Sequence, residues 1–221
     1  MPVYNRIVPK KVLGVLAGED MPRELLRAWA ESADLVIAAD AGADRLLEAG
    51  VRPRHLVGDL DSVRRHEELV GVEVHERVSQ DATDCDKLLA LAGELGESAL
   101  TLCAIEGDRM DHALSTWLSA ARSSLAVRIA LRQGIGWPIA GGANRSVKVE
   151  PGRTVSLIPL SPCEGVVLRG VEWPLEGDRL SWDGLVSISN RAVDPMISVA
   201  IEAGLAALIV EVPRSHLPLW E

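Results

Sequence analysis

The chain contains no phenylalanine and a single tyrosine, so its six tryptophans are the main candidates for aromatic stacking. Cysteine is scarce as well. Cys85, Cys103 and Cys163 are odd in number, widely spaced and in no CxxC pair, which argues against a disulfide framework or a thiolate zinc site and for buried, reduced thiols. No apolar run is long enough to span a membrane. The opening stretch MPVYNRIVPKK lacks the apolar core and small-residue cleavage site of a signal peptide, so a cytoplasmic protein with no membrane partner is expected. Positive charge is in deficit. A net charge of −9 argues against broad nucleic-acid binding, which depends on a basic surface that releases counterions. Three motifs are also absent: the G-x-x-x-x-G-K-[ST] loop, a G-x-G-x-x-G after the first strand, and the G-x-S-x-G elbow.

What is present is a chain of 221 residues, 48% hydrophobic and 25% charged, with no low-complexity tract, long enough to bury a real core. Up to residue 131, short apolar runs alternate with helix-like segments. Strands are expected over 12–17, 35–39, 55–57, 72–78, 100–105 and 127–131, and helices over 23–31, 43–49, after Thr83 to Gly96, and over 110–123. This alternation predicts an α/β domain with a mostly parallel, Rossmann-like sheet that binds ligands at the carboxyl ends of its strands.

From about Val147 the punctuation changes. Short β-rich runs at 154–158, 166–169, 185–188, 197–201 and 206–212 alternate with Pro- and Gly-containing turns, the pattern of an all-β, sandwich- or jelly-roll-like domain. The Gly- and Pro-rich segment 133–146 reads as the linker. The expected division is 1–137 for the α/β domain and 138–221 for the β-rich domain.

Acidic residues follow the strands in turn: Asp40 the second, Asp59 and Asp61 the third, Asp81 and Asp84 the fourth, Asp108 and Asp111 the fifth. In a parallel sheet all of them fall on one rim. Carboxylates gathered there repel one another unless a divalent cation neutralises some of them, and hard oxygen ligands suit Mg²⁺. Lys87 and Arg109 lie in the same zone, placed to meet phosphate oxygens. Thr83 and Asp84 open a helix, so at least one of them is expected to cap it. His112 reads as a residue that structures the site. His55, His66, His75 and His216 form no metal-ligand spacing and read as structural or exposed.

In the order and spacing of five blocks, the chain resembles the thiamin pyrophosphokinase family. The blocks are AADAGADRLLEAGVRP (38–53), VGDLDSV (57–63), SQDATD (79–84), GDRMDH (107–112), and SLIPLSPCEGVVLRGVEWPL together with LVSISN (185–190). The resemblance implies an ATP-dependent diphosphotransferase that converts thiamin to thiamin diphosphate and releases AMP. It implies Mg²⁺ held by Asp59, Asp61, Asp81 and Asp84, and nucleotide contacts from Asp40, Asp81, Thr83, Lys87 and Arg109. Catalytic roles fall to Asp59, Asp61, Asp84, Arg109 and Asp111, with Asp84 or Asp111 at the acceptor hydroxyl. Thiamin contacts fall to Ser187, Ser189 and Asn190, in a homodimer whose thiamin pocket lies between subunits.

Ser79, Ala41, Asp44 and Asp108 depart from the family pattern, and GGANR at 141–145 repeats a family block by coincidence inside the linker. The alternatives are a pyrophosphokinase acting on another heteroaromatic primary alcohol, such as a hydroxymethylpterin, and a non-catalytic nucleotide or thiamin sensor.

Overall fold

The computed structural model describes residues 10–107 and 109–220. The leader reading of residues 1–9 and the placement of Asp108 on the rim lie outside the described residues. No helix among the described residues is long and apolar enough to cross a membrane.

Apolar residues on both sides of a strand require cover on both faces, and the first half of the chain is built that way. Strands β1 (Val12–Val15), β2 (Leu35–Ala39) and β3 (His55–Gly58) are buried throughout. With β4 (Glu73–Glu76), β5 (Ala99–Cys103) and β6 (Ala126–Leu131) they form a parallel sheet in the order β6-β5-β1-β2-β3-β4. Alternate residues serve opposite cores. Leu13, Val15, Val36 and Ala38 face one core with Leu26, Trp29 and Leu46, from α1 (Arg23–Glu31) and α2 (Gly42–Glu48). Val12, Leu35, Ile37 and Ala39 face the other with Leu88, Leu91 and Trp117, from α3 (Asp84–Glu94) and α4 (Met110–Arg122).

The segment expected as a linker is not a loop. It forms β7 (Gly134–Ala140) and the start of β8 (Asn144–Lys148), joined by a turn at Gly141-Gly142. The reason lies in two close approaches. A Cβ at Gly134 would sit 2.4 Å from the Val210 carbonyl oxygen, and one at Gly136 would sit 2.3 Å from the Trp117 ring. Glycine there serves packing rather than turning. β7 pairs antiparallel with β6 and carries the sheet across residues 137 and 138 into the second half.

There the sheet continues through β14 (Leu205–Glu211), β9 (Thr154–Pro159) and β12 (Ser187–Arg191). A second sheet, ordered β11 (Leu175–Leu180), β10 (Cys163–Arg169), β13 (Met196–Ala200), β8, lies against it. Val155, Leu157 and Leu208 of the first sheet share a buried core with Val166, Leu168, Ile197 and Val199 of the second. The chain is thus a mostly parallel α/β region fused through one sheet to an antiparallel, β-rich region.

Candidate active site

The carboxyl ends of β1, β2, β3 and β5 border a cavity of about 460 Å³, lined by Asp40, Asp59, Asp61, Thr83, Asp84, Lys87, Arg109 and His112 among others. Its rim is conformationally unusual. Asp40, Leu60 and Ala104 hold φ values of 43°, 66° and 54°, which cost residues other than glycine on the order of 1–3 kcal/mol each. Such cost is sustained where surrounding contacts dictate the backbone, and here they do. Asp40 donates its backbone N–H to Val57 O at 3.0 Å. Its Oδ1 accepts the Leu60 N–H at 2.8 Å, which ties the end of β2 to the loop after β3.

Asp40 Oδ2 is buried and receives no hydrogen bond. Burial, and then the neighbouring Asp84 carboxylate, push Asp40 up to about 7. Gly58 lies directly against this carboxylate, and a Cβ there would come within 2.1 Å of Asp40 Oδ2. Asp40, Asp59 and Asp61 each offer an oxygen within 4.8 Å of the others. An orphaned buried carboxylate oxygen grouped with two further carboxylates is a donor set that fits a hard divalent cation such as Mg²⁺.

One cation already belongs to the chain. The Lys87 side chain is 5% exposed, and its Nζ lies 3.4 Å from Asp84 Oδ1 and 3.5 Å from Asp59 Oδ2. Burial opposes its charge, but Asp84, Asp59 and Asp40 together outweigh that and raise its pKa above the usual lysine value. Burial likewise opposes the charge on Asp59, yet Lys87 and a Gln80 amide 3.2 Å away hold it below the usual carboxylate range. The Cys85 thiol is pushed up to about 12 by burial, which removes it as a nucleophile near neutral pH.

The other expected residues are placed differently. Thr83 is the N-cap of α3: its Oγ1 accepts the Asp86 N–H at 3.1 Å and donates to Asp86 Oδ2 at 2.7 Å, in a reciprocal capping box. Asp81 is exposed, and its N–H donates to Ser79 Oγ at 3.2 Å. Arg109 and Asp111 are exposed partners at the start of α4, with Arg109 Nε donating to Asp111 Oδ1 at 3.1 Å. That pairing is the first cause of the lowered Asp111 pKa.

Asn190 is buried and engaged with backbone. Its Oδ1 accepts the Trp173 N–H at 3.1 Å, and its Nδ2 donates to Trp173 O at 2.7 Å. Ser187 is half-buried, and Ser189 is exposed with a φ of 55° in a register shift of β12. Beside this block the indole of Trp173 is exposed.

Two departures from the family pattern have structural explanations. Ala41 has φ −60° and ψ −8°, helical values that need no glycine. Asp44 is buried and accepts the backbone N–H groups of Arg64 and Arg65 at 2.9 and 3.0 Å, so it fixes the loop that carries Asp59 and Asp61. Gln80, Ser115 and Thr116 join the cavity wall without having been singled out in the sequence, where isolated polar residues carry no pattern.

Fold and site together define an α/β protein with a polar, cation-competent cavity at the carboxyl edge of a parallel sheet, extended by an antiparallel β region. A family model described as thiamin pyrophosphokinase, catalytic domain, matches residues 26–130, and one described as thiamin pyrophosphokinase, vitamin B1 binding domain, matches 144–206. The chain belongs to the thiamin pyrophosphokinase family.

A protein named thiamine pyrophosphokinase from Bacillus subtilis is 26% identical over 211 residues, covering 90% of this chain and 98% of its own. Among solved structures, thiamin pyrophosphokinase from Geobacillus thermodenitrificans is 26% identical with a TM-score of 0.70, covering 93% of this chain and 100% of that one. Yeast thiamin pyrophosphokinase, at 18% identity, shares the fold with a TM-score of 0.76 over 95% of this chain and 88% of that one.

Proposed function

We propose that this chain transfers a pyrophosphoryl group from ATP to the hydroxyethyl group of thiamin, giving thiamin diphosphate and AMP. The observation that carries this reading is the grouping of Asp40, Asp59 and Asp61 around an orphaned buried oxygen, with Lys87 beneath, in a chain of this family.

In this reading Asp59, Asp61 and Asp40 hold Mg²⁺, which when bound offsets the charge of the triphosphate. Lys87 keeps the acid cluster from excluding an anionic nucleotide, and Gln80 orients Asp59. Arg109, at the mouth, gives its Nε and Nη2 edge to Asp111, and this pairing holds the guanidinium where its charge meets phosphate oxygens. Asp84 lines the cavity beside Asp40 and Lys87, which favours it over Asp111 as the group that orients the acceptor hydroxyl and takes its proton. Thr83 serves the site by fixing the start of α3, whose first residue is Asp84. Catalysis here follows the general logic of phosphoryl transfer, in which positioning and charge complementarity supply most of the rate.

Thiamin recognition falls to the β-rich region, residues 138–221, with Ser187 and Ser189 beside the Trp173 indole. Within one chain β12 lies six strands from β1, about 30 Å at a spacing of about 4.8 Å. That separation supports a homodimer in which the β region of one copy completes the cavity of the other. Three free, buried cysteines accord with a reducing, cytoplasmic setting.

The test is to incubate the full chain with ATP, Mg²⁺ and thiamin and follow products by phosphorus NMR. Equal amounts of AMP and thiamin diphosphate support the reading. ADP with thiamin monophosphate, or no thiamin-dependent product, would overturn it.

A further inference from the structure

At the edge of the parallel sheet, His55 on β3 pairs in register with Glu73 on β4, and Val57 with His75. Residues 55 and 57 share one face of β3, and 73 and 75 share one face of β4, so the parallel register brings two imidazoles and a carboxylate together. In sequence the two histidines are twenty residues apart, which hides the cluster. His55 Nδ1 lies 3.1 Å from His75 Nε2 and 3.6 Å from Glu73 Oε2, and His75 Nε2 lies 3.6 Å from Glu73 Oε1.

Zinc–ligand bonds of about 2.0–2.1 Å in a tetrahedron put neighbouring donor atoms about 3.3 Å apart. The three observed separations bracket that value. We propose that His55, Glu73 and His75 form a transition-metal site, suited to Zn²⁺, with a fourth position left for water.

The donor chemistry separates this site from the acidic cavity. Imidazole nitrogens suit Zn²⁺ and its first-row neighbours, whereas Mg²⁺ demands six oxygens in a near-regular octahedron. Burial is the first cause of a lowered His55 pKa, with Glu73 pulling the other way. The ring is therefore neutral near pH 7 and its lone pair is available. Each imidazole turns its unprotonated nitrogen to the ion and keeps its proton on the other nitrogen.

Arg54 and Lys10 are the cations that bear on His55; Lys10 is paired with Glu97, and the Glu73 carboxylate, 3.6 Å from each ring nitrogen, balances the incoming charge. An open cavity of about 470 Å³, bordered by Lys10, Arg52, Arg54 and Glu97, reaches His55, while half-buried His75 and exposed Glu73 meet solvent directly. His55 precedes Asp59 by four residues of extended chain, about 13 Å, so the two sites do not share ligands.

The ion would clasp the edge strand β4 to β3. That edge is otherwise weakly held, since Val70, Val74 and Val78 beside it are 76%, 48% and 69% exposed. β4 leads through Arg77, whose N–H donates to Gly58 O at 2.7 Å, into the loop bearing Gln80 and Thr83. The clasp thereby steadies one wall of the acidic cavity.

The experiment is calorimetric titration of metal-free, full-length protein with ZnCl₂, in wild type and in Asp61→Asn, Glu73→Gln and His75→Gln variants, with Co²⁺ absorption as an independent readout. Positions 73 and 75 lie at the sheet edge, where substitution spares the fold. Expected are one Zn²⁺ per chain that survives Asp61→Asn, a weakening of at least about 10–100-fold in Glu73→Gln and His75→Gln, and an intense tetrahedral Co²⁺ spectrum in wild type. Zn²⁺ binding unchanged in Glu73→Gln and His75→Gln, no Zn²⁺ binding in Asp61→Asn, or a weak octahedral Co²⁺ spectrum would overturn the proposal and leave a plain histidine hydrogen bond. The Co²⁺ spectrum of the unaltered chain decides the matter even if a variant fails to fold.

Discussion

Lys87 Nζ stands 3.5 Å from Asp59 Oδ2, a nearly buried ammonium placed under the first acid of the GDLDS block. Two carboxylates one residue apart are thus partly neutralised from within before any ligand arrives. Replacing Lys87 by Met removes the internal cation while keeping much of its volume. The folded state should lose about 2 kcal/mol, less than the 3–5 kcal/mol of a fully buried pair because Asp84 is half-exposed. Turnover should fall at least about 100-fold, and Mg²⁺ should recover part of the lost stability. Urea midpoints with and without Mg²⁺, alongside product assays, check both.

Gly58→Ala tests the close approach beside Asp40. The added methyl would meet the Asp40 carboxylate at 2.1 Å, against a rim already held in positive-φ backbone. Relief requires moving Asp40 or the end of β3. A loss of roughly 2 kcal/mol or more in a urea melt is expected, together with loss of Mg²⁺-dependent turnover.

Asp40 gives the metal-free protein a pH-dependent stability whose sign follows from its raised pKa. With the folded value at about 7 and the ordinary value of the unfolded chain at 3.8, only the folded state holds the proton between them. This contribution is fully present below about 4 and is lost as pH rises through 7, with a slope of at most about 1.4 kcal/mol per pH unit. Asn tolerates the left-handed backbone at this position and keeps the acceptor for Leu60, so Asp40→Asn should flatten that profile and stabilise the metal-free chain at pH 8. The same variant should lose stabilisation by Mg²⁺. Thermal melts at pH 6 and 8 read all three effects.

Thr83 distinguishes a cap from a phosphate ligand. Its hydroxyl is committed to Asp86 in both directions. Thr83→Ala should cost about 1 kcal/mol, and Thr83→Ser should restore it. The KM for ATP should move less than threefold in either variant, as initial rates over a range of ATP concentrations would show.

Two exposed apolar patches fit the proposed dimer. Met110, Leu114 and Leu118 line one face of α4 beside the cavity, and Trp173, Trp182 and Ile188 are exposed on the β region. Leu114→Asp should shift the sedimentation of the protein toward monomer and abolish turnover while leaving ATP binding measurable.

Much of this arrangement was legible in the sequence because its signals are local. The buried runs of β1, β2 and β3, the helix over Arg23–Glu31 and the acid after each strand all follow from periodicity and from the rule that parallel strands share one functional edge. What escaped was set by packing. Gly134 and Gly136 mimic a linker because glycine marks both turns and close approaches, and only the folded chain shows Val210 and Trp117 against them. The shared rim of Asp40, Asp59 and Asp61 follows from strand order, but the tie from Asp40 to Leu60 that draws the three together is a contact between neighbouring strands that no spacing encodes. Asn190 sits in a block that resembles a substrate contact, yet both ends of its amide engage the backbone of Trp173. The pairing of His55 with His75 depends on the β3–β4 register for the same reason.

The central claim, that the acid cluster of this cavity carries pyrophosphoryl transfer to thiamin, is tested most directly by comparing wild type with Asp61→Asn. Asp61 is exposed at the cavity mouth, so the substitution removes a charge and almost no volume. With ATP, Mg²⁺ and thiamin supplied, the account predicts thiamin diphosphate and AMP from the wild type, and a loss of at least about 100-fold in Asp61→Asn with an unchanged melting temperature in metal-free buffer. Near-normal thiamin diphosphate formation by Asp61→Asn would contradict it.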